Sequence, residues 1–273
     1  MTRETIIRPP NLYAFVSFRE LWSYRGLLRS MVRRELKSEF NQQYLAYVWP
    51  IFRPVLMVIL FGLFRHYSQA NTGVEIPYLL YVYSGLILWF KFTESVQDTS
   101  SSVKRNAGLI KKVYFPKILS PLSSILSNLV TFSISAIPLV IMMIFFNTFP
   151  GWNVLLLPLV ILQLALMTLG VGCIFAVLGL GNGDWDRFLG HLLYIGLFVS
   201  PVIYAPAMMP ADAQFFYSLN PMVGLLMAFR ATLFADFALP VNLWLYSMAF
   251  TVVVALLGLA VFYRREKYIV DRL

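Results

Sequence analysis

Cysteine is almost absent from this sequence: Cys173 is the single one in 273 residues. No internal disulfide can form and no cysteine-rich metal site can be assembled, and its place in an apolar run points to core packing. Histidine is nearly as scarce. His66 and His191 stand far apart without other ligand types beside them, so no metal site is expected. Charge is in short supply too, at 13% of residues, against about a quarter in soluble domains. With 59% hydrophobic residues, that balance excludes a soluble globular domain and specifies an integral membrane protein. The sequence has no G-x-x-x-x-G-K-S/T phosphate loop, no H-E-x-x-H and no G-x-S-x-G. It therefore carries no ATP site of its own and no recognisable catalytic centre. The first fifteen residues hold no uninterrupted apolar stretch and include Pro9-Pro10, which argues against a signal peptide, so the first span is expected to act as the targeting signal.

What charge there is lies in informative places. A net charge of +9 would suggest nucleic acid in a soluble protein. Here the cations collect between apolar runs, where they orient spans and meet anionic head groups, and nucleic acid is not an expected partner. With both chain ends inside, nineteen of the 22 Lys and Arg residues fall in cytoplasmic segments. Arg65 and Arg230 fall outside and Lys91 within the membrane, an asymmetry that fixes both termini as cytoplasmic. One basic stretch, Lys104 to Pro116, lies between two long apolar runs. Its middle, Gly108 to Tyr114, could form a couple of helical turns, apolar on one side and cationic on the other. Such an element suits a docking partner, and a solvated positive-inside loop is the alternative.

Six spans are expected: 48–64, from 78 through Lys91, 118–146, 152–180, 188–204 and 241–263. From Asn11 to Tyr47, Leu21, Leu28, Val32 and Leu36 recur at helical spacing opposite Arg33, Arg34 and Lys37, which predicts a helix lying in the membrane surface. The run Met222 to Ala235 has 14 residues and is too short to cross a hydrocarbon core of about 30 Å, so a re-entrant or interfacial helix is expected there. The fold class is thus all-α and membrane-integral. A cytoplasmic arm with an interface helix (1–47) precedes the transmembrane domain (48–263) and a basic tail (264–273).

Several features could carry chemistry. Lys91, Glu94 and Asp98 share one helix face, which gives either a structural ion pair or a proton relay. Seven hydroxyl residues from Ser120 to Ser135 allow close helix approach or line a polar path. Phe188, His191, Tyr194 and Phe198 form one stripe of the fifth span, as core packing or as a wall over which sugar rings slide. Tyr78, Tyr81 and Tyr83, like Tyr44, Tyr47 and Trp49, sit where any membrane protein gathers aromatics, or line a path. Asp184 and Asp186 read as caps of the fifth helix.

The run Arg34-Glu35-Leu36-Lys37, with Phe40, Tyr44-Leu45-Ala46, Trp49 and Pro54, resembles the opening motif of the ABC-2 export permeases, specifically those of polysaccharides such as O-antigen, capsule and teichoic acid. The resemblance continues through Asn106, Leu109-Ile110-Lys111-Lys112-Val113-Tyr114-Phe115-Pro116, Asp186-Arg187, Ser200-Pro201-Val202-Ile203-Tyr204, Asn220-Pro221-Met222 and Arg230. Gln43 and Ala46 depart from the usual small hydroxyl residue and glycine. The resemblance implies a homodimer of six-span subunits in the cell (inner) membrane, bound to two copies of a separate ATPase subunit. ATP and Mg would sit on that partner, leaving no cofactor in this chain.

By the same resemblance, Arg33, Arg34, Lys37, Arg105, Asn106, Leu109, Ile110, Lys111, Lys112 and Tyr114 would dock the ATPase. Tyr44, Tyr47, Trp49, Tyr81, Tyr194, Phe198 and Tyr204 would line the channel of a lipid-linked polysaccharide. Pro201, Asn220, Pro221 and Arg230 would form the outer gate, with paired re-entrant helices at 205–240. An ABC-2 exporter of a drug or lipid, and a membrane-embedded enzyme acting on lipid-linked sugars, are the competing expectations.

Overall fold

Proline, glycine and polar pairs divide the long apolar sequence into helices, and every regular element among the described residues is helical. The computed structural model describes residues 18–41, 48–68, 76–181, 183–205 and 211–269; Tyr44 and Tyr47, with Gln43 and Ala46, lie outside them. The arm forms α1 (Phe18–Ser23) and α2 (Arg25–Asn41), separated at Tyr24 where the Ser23 hydroxyl turns back to the Glu20 carbonyl at 2.6 Å. The arm is thus two helices rather than one. α2 packs against the start of α6 and buries Met31, with Leu27 and Leu28 half-buried in the same cluster.

α3 (Trp49–Ser68) carries Pro50 and Pro54 in its first turns, where missing N–H groups are tolerated. α4 (Tyr78–Arg105) is the centre of the bundle, with twenty of its 28 residues buried against α3, α6, α7, α8 and α10. It stops at Asn106. The expected couple of turns follows: α5 (Ala107–Ile110) continues in turn bonds to Val113, whose N–H donates to the Leu109 carbonyl at 3.0 Å, before the chain straightens ahead of Pro116. α6 (Leu119–Phe145) follows, then a 3-10 turn (Trp152–Leu156) leading into α7 (Leu157–Leu178).

Gly181, at φ +88°, supplies the left-handed residue that ends this descent. α8 (Asp184–Val199) starts earlier than expected and ends five residues short of Tyr204, since Ser200 is extended ahead of Pro201. α9 (Ala211–Ser218) and α10 (Pro221–Leu233) form the expected pair of short helices. α10 is capped by Asn220, whose Oδ1 accepts the Met222 N–H at 3.0 Å. α11 (Val241–Arg265) closes the bundle, with a final turn at Glu266–Tyr268.

Among the described residues, four helices are long and apolar enough to cross a membrane: 49–67, 119–145, 152–178 and 241–265. α4 has the length, but Lys91, Glu94, Asp98, Lys104 and Arg105 make its second half polar. α8 has 16 residues, about 24 Å at 1.5 Å per residue, short of a core about 30 Å thick.

α7 and α11 make the most extensive helix pair. A Cβ at Gly258 would lie 2.2 Å from the Gly170 carbonyl oxygen, so backbone meets backbone and larger residues are excluded. Polar atoms of this pair satisfy one another: Trp244 donates to Gln163 at 2.9 Å and Gln163 to Ser247 at 2.7 Å. One end of the bundle gathers α2, α5, the start of α6 and the last turn after α11, and is basic. α10 and the 200–204 turn lie at the opposite end.

Candidate functional site

At the basic end, two separate stretches of sequence are joined. Arg34 on α2 donates to the Asn106 side-chain oxygen, while Asn106 Nδ2 donates to the Ser102 carbonyl at 2.9 Å. The neighbouring Glu35 carboxylate accepts from three hydroxyls of α6: Ser123 at 3.0 Å, Ser124 at 3.2 Å and Ser127 at 2.9 Å. α2 is therefore attached to the α4–α5 corner and to α6 by charge-assisted bonds, which are shorter and stronger than neutral ones.

The expected docking residues divide accordingly. Arg33, Lys37, Lys111, Lys112 and Tyr114 are exposed and Ile110 is buried beneath them. Leu109 is half-buried, and Asn106 and Arg34 serve the joint. Arg105 is held by Asp98 Oδ1 at 2.7 Å and donates to Ser124 at 3.1 Å.

A second ring of charges lies deeper. Lys91 donates to Glu94 at 2.7 Å and to Thr131 at 2.8 Å, so the structural ion pair is the arrangement present. Asn128 donates to Asp98 Oδ2 at 2.8 Å. The α6 hydroxyls thus receive the charges of α2 and α4, a role beyond close packing. Lys104 pairs with Asp186 at 2.6 Å, which corrects the reading of Asp186 as a cap: the α8 N-cap is Gly183, with no side-chain bond. Glu266 accepts the Lys117 N–H at 2.9 Å, and burial raises its carboxyl above the ordinary range despite that bond and the Lys117 charge. Between α2, α3, α4 and α6 a cleft of about 530 Å³ opens at this end, with Trp49, Arg53, Glu94 and Asp98 on its walls.

At the opposite end, Arg230 and Asn220 both hold the 200–204 turn that contains Pro201, while Pro221 is bonded to α11. Arg230 on α10 is fully buried. It donates to the carbonyls of Pro201 (2.7 Å), Val202 (3.0 Å) and Tyr81 (3.1 Å), and its guanidinium lies 3.5 Å from the Tyr81 ring centre. Gly85 makes room: a Cβ there would be 2.5 Å from the Arg230 Nη2. Asn220 donates to Ser200 Oγ at 2.9 Å, and the Pro221 carbonyl accepts from Ser247 at 2.6 Å. Arg230, at the end opposite the basic one, is an internal clamp on the 200–204 turn.

Within one chain, the described members of the expected channel set lie in separate places. Tyr81 is buried and donates to the Tyr204 carbonyl at 3.0 Å, so it packs the clamp and lines no path. Tyr204 is half-buried and donates to the Phe198 carbonyl at 2.7 Å. Phe188, His191, Tyr194 and Phe198 are exposed, which overturns core packing within the chain; the buried face of α8 is Leu189, Leu193 and Leu197. Trp49 is exposed with Phe52, Leu56, Ile59 and Leu63 along α3. α3 and α8 therefore each present an apolar, aromatic face that no described part of the chain covers.

The family model of the ABC-2 type transporter matches residues 26–234, from α2 through the clamp of α10. The chain belongs to the ABC-2 type transporter family. It is similar to the O-antigen export system permease protein RfbA of Myxococcus xanthus, 30% identical over 224 residues, 81% of this chain and 85% of the relative. A Klebsiella pneumoniae protein of the same name is 27% identical over 210 residues, 75% and 78% of the two chains. The polysialic acid transport protein KpsM of Escherichia coli is 26% identical over 246 residues, 88% and 93%. With its apolar helices, membership makes this ABC-2 protein a multi-pass membrane protein.

Sequence reasoning missed the Glu35–serine joint and the Lys104–Asp186 pair. A signal for the first was present, since Ser123 and Ser127 at i, i+4 with Ser124 put hydroxyls along one face of α6. Nothing in the local sequence announces the second, whose partners are 82 residues apart.

Proposed function

We propose that this chain is the membrane-spanning subunit of an ATP-driven exporter that carries a lipid-linked polysaccharide from the cytoplasmic to the outer face of the cell (inner) membrane. ATP and Mg bind a separate subunit, two copies of which serve a homodimer of this chain, each copy with six spans and both termini cytoplasmic. The observation that carries the reading is the basic face at one end, where Arg33, Lys37, Lys111 and Lys112 are exposed on elements bonded to the bundle. The uncovered faces of α3 and α8 favour a second copy that closes a path between them. The named functions of the relatives favour a polysaccharide over a small drug.

A partner that binds two states of this face unequally shifts the bundle between them. The Arg34–Asn106 and Glu35–serine bonds pass that shift to α4 and α6, and Lys104–Asp186 passes it to α8. Deleting the chain from its host tests the reading. Surface polysaccharide is expected to fall while lipid-linked glycan accumulates inside; unchanged surface polysaccharide with new sensitivity to hydrophobic drugs would replace it with the drug-export reading.

A further inference from the structure

The cleft of about 530 Å³ between α2, α3, α4 and α6 lies behind the exposed basic residues and shares only Trp49 with the uncovered face of α3. Its size falls in the ~300–1,000 Å³ range of small-molecule sites. Its walls hold unused bonding capacity of three kinds. Trp49 offers an indole face that is half exposed and touches the Phe52 ring edge-on at 5.7 Å. Arg53 rests over the Phe90 ring at 4.3 Å and takes part in no ion pair among the described residues, so its guanidinium donors are open. Glu94 receives Lys91 on Oε2, which leaves Oε1 as an open acceptor among the described residues. Asp98 and Asn128 close the far wall, bonded to each other.

An aromatic face beside both open donors and an open carboxylate matches a polyol ring, whose hydroxyls give and take hydrogen bonds and whose C–H face stacks on an indole. It does not match a phosphate, which would meet the carboxylates of Glu35, Glu94 and Asp98 while only Arg53 stands free to pair with it. We infer that this cleft is a carbohydrate-binding site that receives the sugar portion of the exported glycan at the basic end, before it reaches the α3 and α8 faces. The inference rests on the polysaccharide-export reading and names a second location for its substrate. Trp49 supplies the stacking surface, with Arg53 and Glu94 the hydrogen bonds that orient the ring.

Photocrosslinking in cells making the full chain with its partner subunit tests this. Benzoylphenylalanine replaces Ser38 at the cleft, Phe198 on the exposed face of α8, or Ile141 on the exposed face of α6 as a control. Captured carbohydrate is detected on the purified chain by periodate oxidation and hydrazide tagging, and its mass shows whether lipid is attached. Capture of lipid-linked glycan at positions 38 and 198 but not 141 is the expected result. In the position-38 background, Trp49→Ala and Arg53→Gln, neither of which breaks an ion pair among the described residues, should lower capture about three- to tenfold.

Capture at 198 with none at 38 overturns the cleft while leaving the export reading. Capture of free sugar or of phospholipid alone at 38, or capture indifferent to both substitutions, also overturns it. Absence of glycan at 38 and 198, with surface polysaccharide unchanged on deletion, removes the export reading and the cleft together.

Discussion

The two ends of this protein handle charge in opposite ways. At the basic end, charges are held by polar side chains or by each other, Arg34 by Asn106, Glu35 by three serines, Arg105 by Asp98 and Lys104 by Asp186, the last two pairs 35% to 45% exposed. At the other end the guanidinium of Arg230 is fully buried, and its partners among the described residues are neutral carbonyls, a hydroxyl and a ring. Paired charges that still touch water exchange partners at little cost. A buried cation with several charge-assisted bonds does not, because any movement strands it. The comparison assigns movement to the basic end and rigidity to the α10 clamp, the division expected of a bundle driven from one side.

The largest effect should follow from breaking the clamp. Arg230→Leu removes the donor to three carbonyls, and a loss of at least about 3 kcal/mol is expected, seen as a lowered thermal midpoint of the purified protein in detergent. Gly258→Ala probes the packing between the ends. Its Cβ has no room against Gly170, and a loss of about 1–3 kcal/mol is expected in the same assay. Glu35→Ala addresses the basic end and should cost about 1 kcal/mol, since each serine also bonds its own helix backbone. Its signature is raised hydrogen exchange in α2 with α10 unchanged. A larger loss than that of Arg230→Leu would invert the comparison.

The smallest effect is one of pH. Burial holds the Glu266 carboxyl above its ordinary value, with Lys117 opposing and Glu20 adding to the rise. A raised folded value favours the protonated form, so its contribution is fully present below the unfolded value and is lost as pH rises through the folded one. Exchange protection of 266–268 should weaken over that window, and Glu266→Gln should flatten the dependence.

Much of the bundle was legible because helical spacing and breakers are local. Pro50, Pro77, Gly181 and Asn220-Pro221 sit at helix boundaries, and Lys91 with Glu94 at i, i+3 announced its own pair. The site was less legible, for physical reasons. Lipid is as apolar as a protein core, so the α8 stripes Leu189-Leu193-Leu197 and Phe188-Tyr194-Phe198 look equally buried in sequence, and only packing tells them apart. Tyr81 and Tyr204 carry the same interfacial signal, yet one is enclosed by Arg230 and the other half-open. Charge counting gives no hint of the role of Arg230, because backbone carbonyls, its actual partners, leave no mark in a sequence. Asp186 could be read as a cap until Lys104 was seen beside it.

The central claim is that the basic face receives a nucleotide-hydrolysing partner. It is tested most directly by co-purifying the chain with a candidate ATPase subunit from its host and measuring ATP hydrolysis for wild type and for Lys111→Glu with Lys112→Glu. Both side chains are exposed, so the variant should keep its thermal midpoint while losing the complex or its coupled hydrolysis. An intact complex with unchanged hydrolysis would contradict the account.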